Sequence, residues 1–300
     1  GNLIANILQF EEFSKAHINY GDDVVITAIP MYHIFALMAN TLSYFYFGAK
    51  NVLVTNPRDM PSFVEIWKNT PAAMFTGVNT LFNGLLHTPG FDQVDFSSLK
   101  LCIGGGASVQ TAVAEKWEQV TGVKLQEGYG LSETSPVLTL NFGNADQTEY
   151  VPGIGIPVPN TDISIRDDLG NVLEQGESGE LCAKGPQVMS GYWNNIGATK
   201  DCMTPDGYFK TGDVAMLDDN GFFHIVDRKK DMINVSGFNV YPNEIEAEVA
   251  KIPGILESAC IGVDDDKTGE AVKLFVVTDK ESEDVNITEQ DVIKFCRQGL

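Results

Sequence analysis

The stretch from Val24 to Ala49 contains no formally charged residue, and it constrains the fold more than any other part of the sequence. It is long enough for a membrane-spanning helix. Pro30 and His33 interrupt it, however, and a strand followed by a core helix accounts for the same residues without a bilayer. We therefore predict a buried strand at 24–29, a turn, and an apolar helix at 34–47.

Strands and helices alternate through the first part of the chain. Short apolar runs predict strands, and segments whose apolar residues recur every three or four positions predict helices. The predicted helices are 2–18, 34–47, 60–69 and 108–120, and the predicted strands are 24–29, 51–55, 73–76 and 99–103. This alternation is typical of a mostly parallel sheet that is covered on both faces by helices.

Hairpin signals replace this alternation in the middle of the chain. Asp167–Asn171 and Asp218–Gly221 contain the residues of tight turns and are flanked by apolar runs. At the first turn we expect a strand on each side, at 162–166 and from Val172 onward. The pattern predicts a β-rich subdomain over about 153–226.

A short charged segment, Asp227–Asp231, separates the hairpins from the last part of the chain. After it, helices are predicted at 242–251 and 288–297 among short strands. The predicted fold class is α/β. A large N-terminal domain over 1–229, with mostly parallel sheets and the β-rich subdomain, precedes a small α+β C-terminal domain over 230–300.

Acidic residues outnumber basic residues by 41 to 20, which gives a formal net charge of −21. General binding to nucleic acid is therefore not expected, because phosphate contacts need clustered Lys and Arg. The same charge disfavours electrostatic adhesion to anionic lipid. The five widely spaced cysteines include no Cys-x-x-Cys pair, so neither a disulfide framework nor a zinc knuckle is indicated. We expect a reducing, cytoplasmic environment.

Three consecutive glycines, Gly104, Gly105 and Gly106, stand between a predicted strand and a predicted helix. Glycines let backbone N–H groups approach a ligand, and a helix N-terminus favours anionic groups. Turns of this kind in α/β sheets often bind nucleotides. A tight strand–helix turn explains the same residues, and both interpretations stay open at this point.

A second glycine-rich segment carries three candidate site residues. Gly128 and Gly130 flank Tyr129, whose ring can then lie open against a planar partner such as adenine. Ser132 offers a hydroxyl, and Glu133 offers a carboxylate, the hard oxygen ligand that Mg²⁺ prefers. The structural alternative is a loop with a packed tyrosine and a solvated glutamate.

Three further residues have both a functional and a structural interpretation. Asp213 follows a glycine and can accept hydrogen bonds from two ribose hydroxyls, although an aspartate in a turn often bonds its own backbone. Arg228 is suited to pair with a phosphate or a ribose, or to form a surface salt bridge. His33 precedes the apolar helix, where it either contacts an acyl substrate or is a satisfied core side chain.

Several blocks of sequence follow one another in a fixed order along essentially the whole chain. They are Pro30–Phe35, Thr76–Phe82, Gly104–Gly106, Gly128–Glu133, Gly179–Met189, Tyr208–Asp213, Ile225–Ile233 and Val235–Ile245. Each block alone is a weak signal, whereas several in the same order are specific. Together they resemble the adenylate-forming acyl-CoA synthetases, and the bacterial long-chain fatty-acid–CoA ligases above all.

The resemblance implies a reaction and its substrates. Enzymes of this family use ATP and Mg²⁺ to convert a carboxylate into an acyl-adenylate and pyrophosphate. They then rotate a small C-terminal domain and transfer the acyl group to CoA. A long-chain fatty acid, ATP and CoA are the implied partners. Because such acids partition into lipid, peripheral contact with a membrane is a further expectation.

The resemblance also implies residue roles in nucleotide binding. Tyr129 would stack on adenine, and the three glycines from Gly104 would line the adenine and acyl pocket. Ser132 would contact the α-phosphate and Glu133 would bind Mg²⁺. Asp213 would hold the ribose.

The remaining implied roles concern the ribose, the hinge and the CoA step. Arg228 would bind the ribose together with the aspartate. Lys230 would be the hinge of the small domain. Ser236 and Gly237 would face the CoA tunnel, and His33 would sit beside the carboxylate and the CoA thiol.

Two motifs of that family are absent from these 300 residues: the Ser/Thr/Gly-rich phosphate loop and the C-terminal lysine that drives adenylation. We therefore expect a fragment that binds AMP-like ligands weakly and does not turn over. Two alternatives to the CoA ligase are a ligase that delivers acyl-AMP to a carrier protein and a non-catalytic homologue. The retained Ser236 and Gly237 argue against the first, and the retained Tyr129 and Glu133 argue against the second.

Overall fold

The computed structural model describes residues 1–141, 153–265, 267–278 and 287–299. The chain divides into two compact units, and each is described by itself. The first unit consists of Gly1–Ser164, Cys182–Thr211 and Leu217–His224, and the second consists of Ile165–Leu181, Gly212–Met216 and Ile225–Leu300.

Eight α-helices and fifteen β-strands are formed within the described residues. The helices are α1 (Asn2–Ser14), α2 (Ser43–Tyr46), α3 (Met60–Lys68), α4 (Asn79–Leu86), α5 (Thr111–Thr121), α6 (Ile196–Asp201), α7 (Pro242–Val249) and α8 (Glu289–Gly299). The strands of the first sheet are β1 (Val24–Thr27), β2 (Lys50–Leu53), β3 (Met74–Gly77), β4 (Leu101–Gly104), β5 (Leu125–Gly130), β6 (Val137–Leu140) and β7 (Ile156–Pro157). The later strands are β8 (Asp162–Arg166), β9 (Gly179–Lys184), β10 (Phe209–Leu217), β11 (Phe223–Arg228), β12 (Ile233–Val235), β13 (Phe238–Val240), β14 (Ile255–Asp265) and β15 (Gly269–Thr278).

The largest sheet has the strand order β2-β1-β3-β4-β5-β6-β7. Each neighbouring pair from β2 to β5 is parallel, whereas β6 and β7 join in antiparallel orientation. Every residue of β3 and β4 is buried, as expected for strands that are covered on both faces. The predicted α/β class with a mostly parallel sheet is therefore confirmed.

An aromatic cluster fills the core on one side of this sheet. Trp117 of α5 is fully buried, and its ring centroid lies 5.9 Å from that of Phe75 and 4.8 Å from that of Phe82. Trp67 of α3 adds a further ring, 4.6 Å from Phe75. Aromatic pairs at these distances contribute beyond the area that they bury, so this cluster ties helices α3, α4 and α5 to β3.

The first helix ends earlier than the sequence pattern predicts. The prediction was a helix over 2–18, but α1 ends at Ser14 and a 3-10 turn occupies Lys15–His17. The buried Ser14 hydroxyl donates a hydrogen bond to the Phe10 carbonyl at 2.6 Å. Such back-bonding to position i−4 weakens a helix, and here it stands where the helix ends.

The apolar segment predicted as a helix at 34–47 is helical but irregular. Its centre, Ala36–Leu42, is a π-helix that continues into α2. The side chain of Asn40 is fully buried within it, donates to the Thr27 hydroxyl and accepts from the Thr76 hydroxyl, both at 2.9 Å. A buried amide needs such partners, and it ties the helical segment to the ends of β1 and β3.

The uncharged stretch Val24–Ala49 is thus divided between β1, a turn and this helical segment. Within the ranges that the structure describes, no helix has the length and hydropathy that crossing a bilayer requires.

A second sheet has the strand order β11-β10-β9-β8. The predicted strand at 162–166 is present as β8, but the strand expected from Val172 onward is not, because Val172 forms only an isolated bridge with Arg166. Between them, the Asp167 carboxylate accepts hydrogen bonds from the backbone N–H groups of Leu169 and Asn171. The turn is therefore held by its own side chain, and β9 takes the place beside β8.

The third sheet, β13-β12-β15-β14, belongs to the second unit and is antiparallel. Its core joins Ile233 of β12, Val249 of α7, Cys260 of β14 and Val292 of α8. Helices therefore pack on strands of this sheet, in agreement with a small α+β region at the end of the chain.

Replacing Trp117 with alanine removes the centre of the aromatic cluster. We expect the free energy of unfolding of the first unit to fall by about 3–5 kcal/mol, because the cavity cannot be refilled by its close-packed neighbours. Urea unfolding followed by far-UV circular dichroism measures the change.

Trp193→Ala is the matched control, because the Trp193 side chain is 91% exposed. Its effect on the free energy of unfolding should stay within about 0.5 kcal/mol. Equal losses of stability in the two variants would contradict the structural role of the cluster.

Candidate functional site

The candidate residues of the first unit follow the carboxyl ends of parallel strands. His33 comes after β1, Val78 after β3, Gly105 after β4 and Glu133 after β5. Because these strands are parallel, their carboxyl ends meet at one edge of the sheet. Ligands of open α/β sheets bind outside this edge.

Close packing surrounds two of the three consecutive glycines, most tightly Gly104. A Cβ on Gly104 would lie 2.4 Å from Cγ2 of Val109, and a Cβ on Gly105 would lie 3.1 Å from the Phe35 ring. Gly106 has φ +81° and is exposed. The turn after β4 is therefore tight, and it leaves exposed backbone at Gly106. A role of these glycines in nucleotide binding stays a prediction.

His33 lies in the exposed turn before the helical segment. Its Nδ1 accepts a hydrogen bond from the Phe35 backbone N–H at 3.2 Å. The side chain is therefore not a core residue. The bond assigns Nδ1 as acceptor and leaves Nε2 as the ring nitrogen that carries the proton in the neutral form.

Tyr129 lies on β5, is half-buried, and pairs with Thr139 of β6. The glycines on either side of Tyr129 are needed for close packing, which the sequence alone did not indicate. A Cβ on Gly130 would lie 1.7 Å from the carbonyl oxygen of Pro136, and a Cβ on Gly128 would lie 2.9 Å from Leu140. They allow the following turn and β6 to approach β5 closely.

Ser132 and Glu133 begin a one-turn 3-10 helix directly after β5. The turn is capped because the Thr134 hydroxyl accepts a hydrogen bond from the Leu131 backbone N–H at 2.9 Å. Ser132 is exposed and Glu133 is half-buried. A hydroxyl and a carboxylate therefore face outward at the sheet edge, where a phosphate and a metal ion would need them.

The Glu133 carboxylate has a partner that sequence reasoning missed. The hydroxyl of Tyr192 donates to Glu133 Oε1 at 2.8 Å, across 59 positions of sequence. Partial burial and this bond raise the pKa of Tyr192 to about 12, so the phenol keeps its proton near neutral pH. No local pattern in the sequence signals this contact, because the two residues lie in separate segments.

Glu133 suits Mg²⁺ better than a metal that needs a protein cage. In the part of the chain that the structure describes, no group of three His, Cys, Asp or Glu side chains is placed to hold a metal ion. Mg²⁺ is commonly held by one or two carboxylates together with substrate phosphates. A single carboxylate beside an exposed hydroxyl fits that arrangement.

Residues with buried side-chain amides form hydrogen bonds to the residues that follow the 3-10 turn after β5. The Ser135 hydroxyl donates to the Gln187 carbonyl at 2.9 Å, and the side chain of Gln187 is fully buried and donates to the Thr161 hydroxyl at 2.7 Å. Asn6 of α1 exchanges two hydrogen bonds of 2.9 Å with the backbone of Val137. These contacts join distant positions, so no local pattern in the sequence signals them.

In the second unit, the structure brings Asp213 and Arg228 together. Asp213 is a buried residue within β10, not a turn residue, and Arg228 ends β11. The Arg228 Nε lies 3.9 Å from Asp213 Oδ1. The Arg228 side chain is 61% exposed, so its guanidinium is accessible to an anionic or hydroxyl-bearing ligand.

Lys229 anchors the backbone next to this pair. Its ammonium lies 2.8 Å from an Asp168 oxygen and 3.0 Å from a Glu180 oxygen, and the Asp168 bond, followed by the Glu180 bond, raises its pKa. The Glu180 carboxylate also accepts from the Gly212 backbone N–H at 3.2 Å. The next residue, Lys230, is exposed in the turn between β11 and β12.

Ser236 and Gly237 form the tight turn between β12 and β13 and are both exposed. Their φ angles are +53° and +89°, in the left-handed region. The Gly237 backbone N–H donates to the Asn234 side chain at 2.9 Å. The turn is thus locally fixed.

Comparison with known sequences identifies two family segments. The AMP-binding enzyme family matches residues 1–193, and the AMP-binding enzyme C-terminal domain matches residues 244–300.

The chain is also similar to curated proteins over its whole length. It is 50% identical over 300 residues to the long-chain-fatty-acid–CoA ligase of Yersinia pestis, and this covers 100% of the chain and 52% of that protein. The chain therefore spans about half the length of the curated relatives that it matches.

Solved structures share the fold. The ATP-bound crystal structure of MatB from Rhodopseudomonas palustris matches with a TM-score of 0.88 and 32% identity, over 100% of this chain and 57% of that one. The MenE o-succinylbenzoate-CoA synthetase from Bacillus subtilis, solved with ATP and magnesium ion, matches with a TM-score of 0.83 and 25% identity, over 100% and 59%. With one family segment covering well over half of its residues, the chain belongs to the AMP-binding enzyme family.

Proposed function

We propose that this chain is part of an AMP-forming long-chain fatty-acid–CoA ligase. The observation that carries the proposal is the arrangement at the carboxyl edge of the parallel strands. There Ser132 and Glu133 stand in the turn after β5, and Gly106 leaves exposed backbone in the turn after β4. The identity of half of all positions to a long-chain-fatty-acid–CoA ligase supports the substrate class.

The first half-reaction is acyl-adenylate formation. A carboxylate oxygen of the fatty acid attacks the α-phosphorus of ATP, the bond from that phosphorus to the bridging oxygen breaks, and pyrophosphate leaves. Tyr129 stacks on adenine, and the Ser132 hydroxyl contacts the α-phosphate. Glu133 would hold Mg²⁺, which would supply charge neutralisation at the phosphates. Gly104–Gly106 line the adenine and acyl pocket.

Asp213 and Arg228 bind the ribose. The buried carboxylate of Asp213 accepts hydrogen bonds from ribose hydroxyls, and Arg228 contributes the donors of its exposed guanidinium. A carboxylate held in a strand costs little conformational entropy when it binds, because its backbone is already fixed.

The second half-reaction transfers the acyl group to CoA. The CoA sulfur attacks the acyl carbon, a C–S bond forms, the C–O bond to AMP breaks, and the thiol proton is released. The domain boundary lies at Lys230, which acts as the hinge of a small mobile domain that begins there. Ser236 and Gly237 face the CoA tunnel in this step, and His33 lies at the carboxylate and thiol.

The protein acts in the cytoplasm and touches the membrane peripherally where its substrate partitions. Phe45 and Tyr46 support this contact, because they are 83% and 54% exposed. The Tyr46 ring, with its polar hydroxyl, is of the kind favoured at the membrane–water interface, and Phe45 adds exposed apolar area beside it. Cosedimentation with phosphatidylcholine vesicles is expected, and its absence with and without palmitate would refute the contact.

The full-length protein that contains this chain should form AMP from ATP only when Mg²⁺, palmitate and CoA are all present. Acetate and an amino acid should not replace palmitate, since a long apolar pocket gains binding energy from each buried methylene. AMP and palmitoyl-CoA are quantified by chromatography.

Two results would redirect the proposal. Palmitate-dependent pyrophosphate exchange in a protein that gives no product with CoA would indicate delivery to a carrier protein. Absence of AMP with every acid, in a folded protein that still binds ATP, would indicate a non-catalytic homologue.

Asp213→Asn should raise the KM for ATP by about tenfold or more, because a hydrogen bond to a charged acceptor is lost. The wild-type protein should also discriminate against 3′-deoxy-ATP, and the variant should lose much of this discrimination. Steady-state kinetics with both nucleotides provide the measurement.

Asp219→Asn makes the same charge change at an exposed turn residue of the β10–β11 connection. It should leave the KM for both nucleotides unchanged. An unchanged ratio of the two KM values in Asp213→Asn would exclude Asp213 from ribose binding.

Lys230→Pro should slow thioester formation more than adenylation, because proline fixes φ at the proposed hinge and restricts the change between the two half-reactions. Lys230→Ala, which keeps backbone freedom, should alter the ratio of the two rates less. Pyrophosphate exchange measures adenylation, and single-turnover transfer from palmitoyl-AMP to CoA measures the second step. Equal slowing of both steps by proline would argue against a hinge.

A further inference from the structure

The hydrogen bond between Tyr192 and Glu133 involves two residues on separate elements. Tyr192 lies between β9 and α6, and Glu133 lies in the turn after β5. The phenol donates to Oε1 at 2.8 Å. The second carboxylate oxygen, Oε2, forms no hydrogen bond to any described residue.

The backbone that carries Tyr192 is held by contacts at and before this residue. Upstream, the Met189 backbone N–H donates to the Glu133 carbonyl at 2.8 Å. At Tyr192 itself, the backbone N–H donates to the Thr199 hydroxyl at 2.9 Å. Gly191 has φ +148°, and a Cβ there would lie 2.5 Å from Cγ2 of Thr199. The backbone therefore runs close to α6, and from there the Tyr192 hydroxyl reaches the Glu133 carboxylate.

We propose that Tyr192 is a positioning residue that holds Glu133 Oε1 so that Oε2 is presented to the magnesium ion of bound ATP. This inference rests on the proposed function, in which Glu133 binds Mg²⁺. The tyrosine does not touch the ion, and its effect passes through the carboxylate.

The physical need for such a residue follows from the ion and from the side chain. Mg²⁺ demands near-ideal octahedral geometry, whereas a glutamate side chain has several rotatable bonds whose freedom is lost on binding. A hydrogen bond to one oxygen selects the orientation before the ion arrives. Partners of this kind typically affect metal affinity by 10–100-fold.

The same bond contributes little to the stability of the fold. Tyr192 is 40% exposed and Glu133 is half-buried, so water can replace either partner when the bond is lost. Tyr192→Phe removes one oxygen atom and keeps the ring and the backbone contacts to Thr199. The variant therefore separates orientation of the carboxylate from folding.

The test uses Mn²⁺ as the probe ion and the full-length protein saturated with ATP. The concentration of free Mn²⁺ is measured by electron paramagnetic resonance during titration, which reports binding without turnover. Tyr192→Phe is expected to weaken Mn²⁺ binding by about tenfold, with an unchanged thermal midpoint of unfolding. The matched control is Tyr20→Phe, which removes a tyrosine–glutamate bond of 2.5 Å to Glu11 on α1, and it should bind Mn²⁺ as the wild type does.

A double-mutant cycle with Glu133→Gln shows whether the effect passes through the carboxylate. In the Glu133→Gln background, Tyr192→Phe should cause no further loss of Mn²⁺ affinity, because the two residues act as one unit. A loss of similar size in both backgrounds would overturn the inference, as would wild-type affinity in the Tyr192→Phe single variant.

The cycle also separates this inference from the proposed function. Wild-type Mn²⁺ affinity in Glu133→Gln would refute the metal role of Glu133, and the inference would fail with it. A large loss in Glu133→Gln beside wild-type affinity in Tyr192→Phe would refute only the positioning role.

Discussion

The close approach of β5 to the turn that follows it sets the geometry of the candidate site. At Gly130 an added Cβ would lie 1.7 Å from the Pro136 carbonyl oxygen, so a side chain at this position is incompatible with the turn. Because the chain reverses so tightly, Ser132 and Glu133 sit in a single helical turn immediately beyond the strand. Tyr129 is fixed just before it by its pairing with Thr139. One steric constraint therefore places all three groups at the edge of the sheet.

Buried amide groups hold this turn in place from the protein side. Asn6, Gln9 and Gln187 are at most 5% exposed, and each makes hydrogen bonds that satisfy its amide. A polar group removed from water is costly without such partners, so the network tolerates few alternative arrangements. The outward-facing hydroxyl and carboxylate thus rest on a support with little freedom to rearrange, which suits a site that must meet a phosphate and a metal ion at fixed distances.

The sequence predicts helices and strands well where apolar residues recur with a clear period. It predicts them less well where contacts with distant residues determine the local structure. The strands at the centre of the parallel sheet and the helices between them follow from apolar runs. The strand expected from Val172 failed because Asp167 closes its own turn, and the π-helix around Asn40 depends on hydroxyls from two distant strands. Motifs indicated the candidate site residues, and the roles of these residues stay predictions. Tyr192 could not be found because its contact joins two distant segments.

Lys229, the residue before Lys230 in the turn between β11 and β12, forms two ion pairs whose acidic partners differ in exposure to solvent. Its ammonium is shared between Asp168, which is 86% exposed, and Glu180, which is 12% exposed. Salt screens the exposed ion pair with Asp168 more than the ion pair with the mostly buried Glu180 side chain, because mobile ions have less access to a buried pair. Changes in ionic strength therefore act unevenly on this turn: they loosen its outer attachment first and leave the inner one in place. The backbone of this turn thus responds to the ionic strength of the solvent.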